Sequence, residues 1–112
     1  MDKIVFITGA SSGIGAGCAR KFASQGASLI LNARNVNKLS ALKEELEKQY
    51  GAKIYLLPFD VRDRKAATSA LESLPKEWQS IDILVNNAGL VIGTDKEQEG
   101  SLDEWDIVID TN

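Results

Sequence analysis

The residues best suited to chemistry come early in the chain. Thr8-Gly9-Ala10-Ser11-Ser12-Gly13-Ile14-Gly15 carries its glycines as Gly-x-x-x-Gly-x-Gly. Gly9 lets the backbone leave a strand in a tight turn, while Gly13 and Gly15 leave room for a pyrophosphate and for close helix–strand contact. A helix starting near Gly13 aims unpaired backbone N–H groups and its positive dipole end at the phosphates. Ser11 and Ser12 add hydroxyl donors. Many turns are glycine-rich, so the triplet alone says little. Between a strand and a helix in a first βαβ unit it has the context that dinucleotide binding requires. A Walker A loop is excluded, because no Gly-Lys-Ser/Thr follows at the right place.

Other chemistries are thinly provided. The chain has no histidine and a single cysteine, Cys18. Without an imidazole to act as its base, Cys18 is read as a small buried hydrophobe on a helix. No metal site is expected, since the carboxylates show no ligand spacing. One cysteine allows no internal disulfide, which fits a reducing cytoplasm.

The elements that must position the loop follow from apolar spacing. Residues 4–7 form a short apolar run that reads as a buried parallel strand ending at Thr8-Gly9. Ile14, Cys18 and Phe22, with Ala19 and Ala23 beside them, mark the inner face of the first helix, and Gly26 sits at its C-terminal cap. Gly17 inside that helix costs about 1 kcal/mol relative to alanine, which suggests close packing or cofactor approach. Residues 28–32 are the second strand. Val36, Leu39, Leu42 and Leu46 line the second helix, Glu44 and Lys48 pair on its wet face, and Gly51 ends it. Residues 53–57 are the third strand, closed by Pro58. Asp63 caps a helix faced by Ala67, Ala70, Leu71 and Leu74, which Pro75 terminates. Residues 81–85 are the fourth strand. After a loop over 90–100, Ser101-Leu102-Asp103-Glu104 is a capping-box sequence. It opens a helix with Leu102, Trp105, Val108 and Ile109 on its inner side.

Strands alternating with helices imply an α/β fold with a parallel sheet. A chain of 112 residues can bury one core. The 44% apolar and 26% charged content is ordinary for a globular domain. The net charge of −3, with Lys and Arg scattered, argues against a nucleic-acid partner. No apolar run approaches the ~18 residues a membrane span needs. Met1-Asp2-Lys3-Ile4 runs straight into a strand and does not read as a signal peptide.

The loop spacing, Asn86-Asn87-Ala88-Gly89 after the fourth strand, and Asp60-Val61 after the third together resemble the short-chain dehydrogenase/reductase superfamily. The resemblance runs through all 112 residues. It implies a Rossmann-type sheet with strand order 3-2-1-4 here, its later strands missing, and a doubly wound order 3-2-1-4-5-6 in a whole member. On that frame the fourth strand would be a bare edge, leaving the isolated chain marginal and prone to swapping or aggregation.

The resemblance also implies site residues. Ala33 stands where NAD-preferring relatives usually carry Asp, and Arg34 follows. A neutral Ala33 removes repulsion against a 2′-phosphate and Arg34 can pair with it, which predicts NADP over NAD. Asn35 is a further candidate contact. The plain alternative for Arg34 is a solvated charge at a strand end. Asp60 would accept from the adenine amino group and Val61 would line the adenine pocket, unless Asp60 merely caps the next helix, for which Asp63 is better placed. Asn86 would hold the strand end near the cofactor. Ala88 and Gly89 would let the backbone pass close to the ribose and nicotinamide side; a generic turn is the alternative.

The family moves a hydride between the nicotinamide and a carbonyl or alcohol carbon. It uses a Tyr acid/base with a Lys four residues later, a Ser and a supporting Asn. Ile109-Asp110-Thr111-Asn112 looks like the segment carrying that Asn, so Asn112 is the one catalytic candidate, or simply a polar terminal residue. The Tyr-x-x-x-Lys motif and the Ser are absent. Lys53 lies three residues after Tyr50, and Phe59 four after Tyr55. The chain is therefore expected to be a truncated NADP-binding half-domain, inactive alone, from a cytoplasmic oxidoreductase that takes a small-molecule substrate. The stretches around residues 74–90 and 100–105 resemble NADP-dependent 3-hydroxy acid dehydrogenases. The helix from Ser101 would belong to a homodimer or homotetramer interface. The alternatives are a non-catalytic nucleotide sensor and a structural half-domain that pairs with another chain.

Overall fold

The computed structural model describes residues 2–87 and the backbone of residues 106–108. Strands β1 (Ile4–Thr8), β2 (Ser28–Leu31), β3 (Ile54–Leu56), β4 (Ile83–Asn86) and β5 (Asp106–Val108) form one parallel sheet in the order β3-β2-β1-β4-β5. Helices α1 (Gly13–Ser24), α2 (Val36–Tyr50) and α3 (Arg64–Glu72) connect the first four, with a 3₁₀ turn over Lys76–Trp78 before β4.

Strand alternation sorts the core into two layers. Val5, Ile7, Leu29 and Leu31 point to the side packed by α1 and α2, where Ala16, Ala19, Ala23, Leu39, Leu42 and Leu46 meet them. Phe6, Ile30 and Leu84 point to the other side, against Leu57, Phe59, Ala67, Leu74 and Trp78. Each fully buried Leu, Ile or Phe contributes about 1.5–3 kcal/mol, so the strand residues dominate the stability. With α1 and α2 on one face and α3 on the other, the winding reverses beside β1. The crevice at the carboxyl end of β1 is thus the switch point where open α/β sheets bind ligands.

Local signals set most element ends as the sequence implies. The Asp63 side chain accepts from the Ala66 N–H at 3.0 Å and caps α3. Gly51 ends α2 in the left-handed region at φ 65°, and Gly26 follows the α1 cap at φ 87°. On α2 the i,i+4 pair forms between Lys43 and Glu47 at 3.6 Å, rather than between Glu44 and Lys48.

Two helix faces differ from expectation. Ile14 and Val36 are exposed, while the buried stripe of α1 is Gly15, Ala16, Ala19 and Ala23, with Cys18 and Phe22 half-buried beside it. At Gly15 the cause is proximity: α1 lies so close to the loop leaving β1 that a Cβ there would meet the Gly9 carbonyl. Gly17, expected for close packing or cofactor approach, has nothing within 4 Å of an added Cβ among the described residues, so packing is not its reason.

The third correction concerns the last element. Asp106–Val108 is not helical but a strand in parallel register with β4, pairing Ile83 with Asp106, Leu84 with Ile107 and Val85 with Val108. The outer edge of β4 offers a row of unpaired N–H and C=O groups, and β-branched Ile107 and Val108 suit a strand. The expected bare edge at β4 is therefore covered. The rest of the expected helix, including Leu102, Trp105 and Ile109, lies outside the described residues.

Candidate functional site

The glycine loop is held from inside. Gly9 turns the chain at φ 62°, a conformation costly for any residue with a Cβ. The Ser12 hydroxyl donates to the Gly9 carbonyl at 2.9 Å and accepts from the Gly15 N–H at 3.1 Å, so Ser12 is the N-cap of α1. Asn87 then donates its amide to the Gly9 carbonyl at 3.1 Å and to the Ser12 hydroxyl at 2.9 Å. Ser12 thus braces the loop with its one hydroxyl proton, and Ser11, with no partner among the described residues, keeps the free hydroxyl.

Gly13 and Gly15 divide the two duties foreseen for them. A Cβ on Gly15 would collide with the Gly9 carbonyl oxygen, so Gly15 is the close helix–strand contact. A Cβ on Gly13 would meet nothing within 4 Å among the described residues, so there Gly13 faces open space. The N–H groups of Gly13 and Ile14 have no acceptor among the described residues, as expected for a first helical turn. They and the helix dipole favour an anion there.

Asn32, read from sequence only as a strand end, is the junction under the loop. It is fully buried. Its amide donates to the carbonyls of Leu57 and Phe59, both at 3.1 Å, and its oxygen accepts from the Gly9 N–H at 3.4 Å. Its backbone carbonyl accepts from Ala10 N–H at 2.7 Å. One side chain therefore ties the ends of β1, β2 and β3 together. The hydroxyl of buried Thr8 lies 3.4 Å from both the Val85 carbonyl and Asn86 Oδ1, which fixes Asn86 beside the end of β1.

Beside the loop lies a cleft of about 350 Å³ lined by Gly9, Ser11, Ala33, Arg34, Asp60 and Arg62, with Asn32, Phe59 and Val61 completing its walls. Ala33 is buried, and Arg34 reaches out with its side chain 68% exposed. Arg34 meets Asp60 at 3.9 Å. Arg62 holds the same carboxylate far more tightly. Its Nη2 donates to Asp60 Oδ2 at 2.9 Å, its Nε to Oδ1 at 3.1 Å, and its backbone N–H to Oδ1 at 2.9 Å. These hydrogen bonds from Arg62 hold the Asp60 carboxyl down at about 2, with a smaller contribution from Arg34. Asp60 stays ionised, and of the two carboxylates it is Asp63 that caps α3.

The structure thus brings Gly9, Ser11, Ala33, Arg34, Asp60 and Val61 together in the cleft, with Ser12, Gly13, Ile14 and Gly15 following in the loop and the start of α1, and Asn86 beside the end of β1. Asn35 stands apart in function: its side chain caps α2 by accepting from the Lys38 N–H at 3.2 Å. Ala88, Gly89 and Asn112 lie outside the described residues. Asn32, Arg62 and Asn87 are additions. Asp60 accepts from the Arg62 backbone N–H in an Asx turn, and an Arg placed two residues after an Asp is the one signal that could have singled out Arg62.

A parallel sheet wound 3-2-1-4, with a glycine loop feeding a helix at the switch point, defines a Rossmann-type domain. The chain belongs to the short chain dehydrogenase family, whose pattern it matches over residues 3–112. It is 44% identical over 109 residues to the NADP-dependent 3-hydroxy acid dehydrogenase YdfG of Escherichia coli (strain K12), covering 97% of this chain and 42% of that protein. The fold matches serine dehydrogenase from Escherichia coli at a TM-score of 0.70 and 43% identity, covering 91% of this chain and 45% of that one. It matches L-sorbose reductase from Gluconobacter frateurii, solved with NADPH and L-sorbose, at a TM-score of 0.73 and 33% identity, covering 86% and 39%. The chain thus spans less than half the length of these relatives. Among the described residues no helix is long and apolar enough to cross a membrane.

Proposed function

We propose that this chain is the NADP(H)-holding portion of an oxidoreductase that passes a hydride between NADP(H) and a small alcohol or carbonyl substrate of the 3-hydroxy acid type. The observation that carries the cofactor choice is the lip of the cleft, where buried Ala33 stands next to exposed Arg34. A carboxylate at position 33 would repel a 2′-phosphate; a methyl group does not. Among the described residues Arg34 is held only by a long contact to Asp60, so its guanidinium is available for charge-assisted hydrogen bonds.

The residues present fit such a cofactor. Open space before Gly13 and the free N–H groups of Gly13 and Ile14 suit a pyrophosphate, with Gly9, Ser11 and Gly15 shaping its cradle and Ser12 bracing it. Arg34 takes the 2′-phosphate beside Ala33, with Asn35 adjacent. Asp60 accepts from the adenine amino group and Val61 lines the adenine pocket. Asn86, Ala88 and Gly89 flank the ribose and nicotinamide side. When bound, the nicotinamide supplies the hydride acceptor or donor. Asn112 is the catalytic candidate, a support for proton relay.

The substrate class is supported by the 3-hydroxy acid dehydrogenase name of a 44% identical relative. A cytoplasmic setting is supported by the lone cysteine. A homodimer or homotetramer rests on the family resemblance alone. Calorimetric titration of the chain with NADPH and NADH tests the cofactor reading. Tighter NADPH binding is expected; equal affinities, or tighter NADH, would overturn it.

A further inference from the structure

We infer that Arg62 sets selectivity for the 2′-phosphate, as a positioning residue that acts on Arg34 through the carboxylate the two arginines share. The inference rests on the NADP(H) reading above. Asp60 Oδ2 lies 2.9 Å from Arg62 Nη2 and 3.9 Å from Arg34 Nη1. Arg62 also bonds Oδ1 through its Nε and its backbone N–H. The carboxylate is therefore claimed by Arg62, and Arg34 is left at its margin.

The charges explain why this matters. A phosphate that reaches Arg34 comes close to Asp60, and an unpaired carboxylate there would repel it. The same carboxylate would draw Arg34 inward, since a guanidinium and a carboxylate prefer the two-point pairing that Arg62 now makes. With Arg62 engaged, two guanidiniums face one carboxylate, and one positive charge remains for the incoming anion. Both arginines are well exposed, at 68% and 75%, so neither is needed to fill the core. Arg62 keeps Asp60 ionised and occupied on one side, leaves it able to accept from adenine, and frees Arg34.

The test compares 2′,5′-ADP with 5′-AMP, which differ only in the 2′-phosphate, by calorimetry on the full chain. Arg62→Gln should lower the preference for 2′,5′-ADP about tenfold, the worth of one charge-assisted hydrogen bond, with 5′-AMP affinity nearly unchanged. Arg62→Lys should restore part of the preference. The double variant Asp60→Asn, Arg62→Gln should restore most of it, because it removes the charge that Arg62 neutralises. A purely structural role would not show that recovery. If the unaltered chain shows no preference for 2′,5′-ADP, the NADP(H) reading falls and the inference with it. If the preference exists but survives Arg62→Gln, or if both nucleotides weaken equally, the inference alone is overturned.

Discussion

Two glycines in α1, two residues apart, should answer the same substitution with opposite signs. In Gly15→Ala the new Cβ collides with the Gly9 carbonyl oxygen and lies 2.9 Å from the Gly9 carbonyl carbon and 3.0 Å from Ala10 Cα. All three are backbone atoms of a loop pinned by Asn32 and Asn87, so no flexible side chain can swing aside. Overpacking of this kind costs about 1–3 kcal/mol, and rigid surroundings place it at the upper end. Replacing glycine in a helix returns about 1 kcal/mol. The net expectation is a loss of about 2 kcal/mol, or roughly 10 °C in Tm for a domain of this size. Gly17→Ala meets nothing within 4 Å and should gain about 0.5–1 kcal/mol. Urea and thermal unfolding followed by circular dichroism compare the two variants directly. If Gly15→Ala proves as stable as Gly17→Ala, the close helix–loop approach is wrong.

Further expectations follow from the same geometry. Gly13→Ala should leave stability unchanged or slightly raised while weakening NADPH binding at least tenfold, because its Cβ enters the space proposed for the pyrophosphate; unaltered binding in a titration would refute this. Asn32→Ala strands the Leu57 and Phe59 carbonyls and the Gly9 N–H, and should cost about 2–3 kcal/mol in urea unfolding, a loss that a mere strand-end residue would not show. Ser12→Ala removes the α1 cap and should cost about 1 kcal/mol in the same assay. Asp60 has a lowered carboxyl value, so its interactions are complete above the ordinary carboxylate range and fade only as pH falls through about 2. Carboxyl-carbon NMR should place its midpoint there, and Arg62→Gln should move it upward; a midpoint in the ordinary range for the unaltered chain would contradict the pairing.

Much of this site is local and therefore legible. The glycine spacing of residues 9–15 marks a strand-to-helix turn because each glycine answers a steric demand within the same short segment. Asp63, Gly51 and Gly26 could be read as caps for the same reason, since a cap acts within one helical turn. The faces of α1 and α2 were less legible at their first residues. Ile14 and Val36 continue an apolar pattern, yet each sits where its helix leaves the sheet, and pattern alone does not say where contact begins. Asp106–Val108 went the other way: a capping box argued for a helix, and the open edge of β4 captured a strand.

The sequence by itself determined the alternating α/β order, the phosphate-type loop and the neutral-then-basic pair Ala33-Arg34. Each is encoded in neighbouring residues whose sterics or charge act over a few ångströms along the chain. Tertiary structure alone decided how the loop is held and how the cleft is charged. Asn32 reaches residues 25 and 27 positions away, and Asn87 reaches back 75 and 78, so no window of sequence contains either bond. Arg34 and Arg62 come from the ends of different strands and meet over Asp60 only because β2 and β3 lie side by side in register. The loop's shape is a short-range property of its glycines; its rigidity and the field around it belong to the folded sheet.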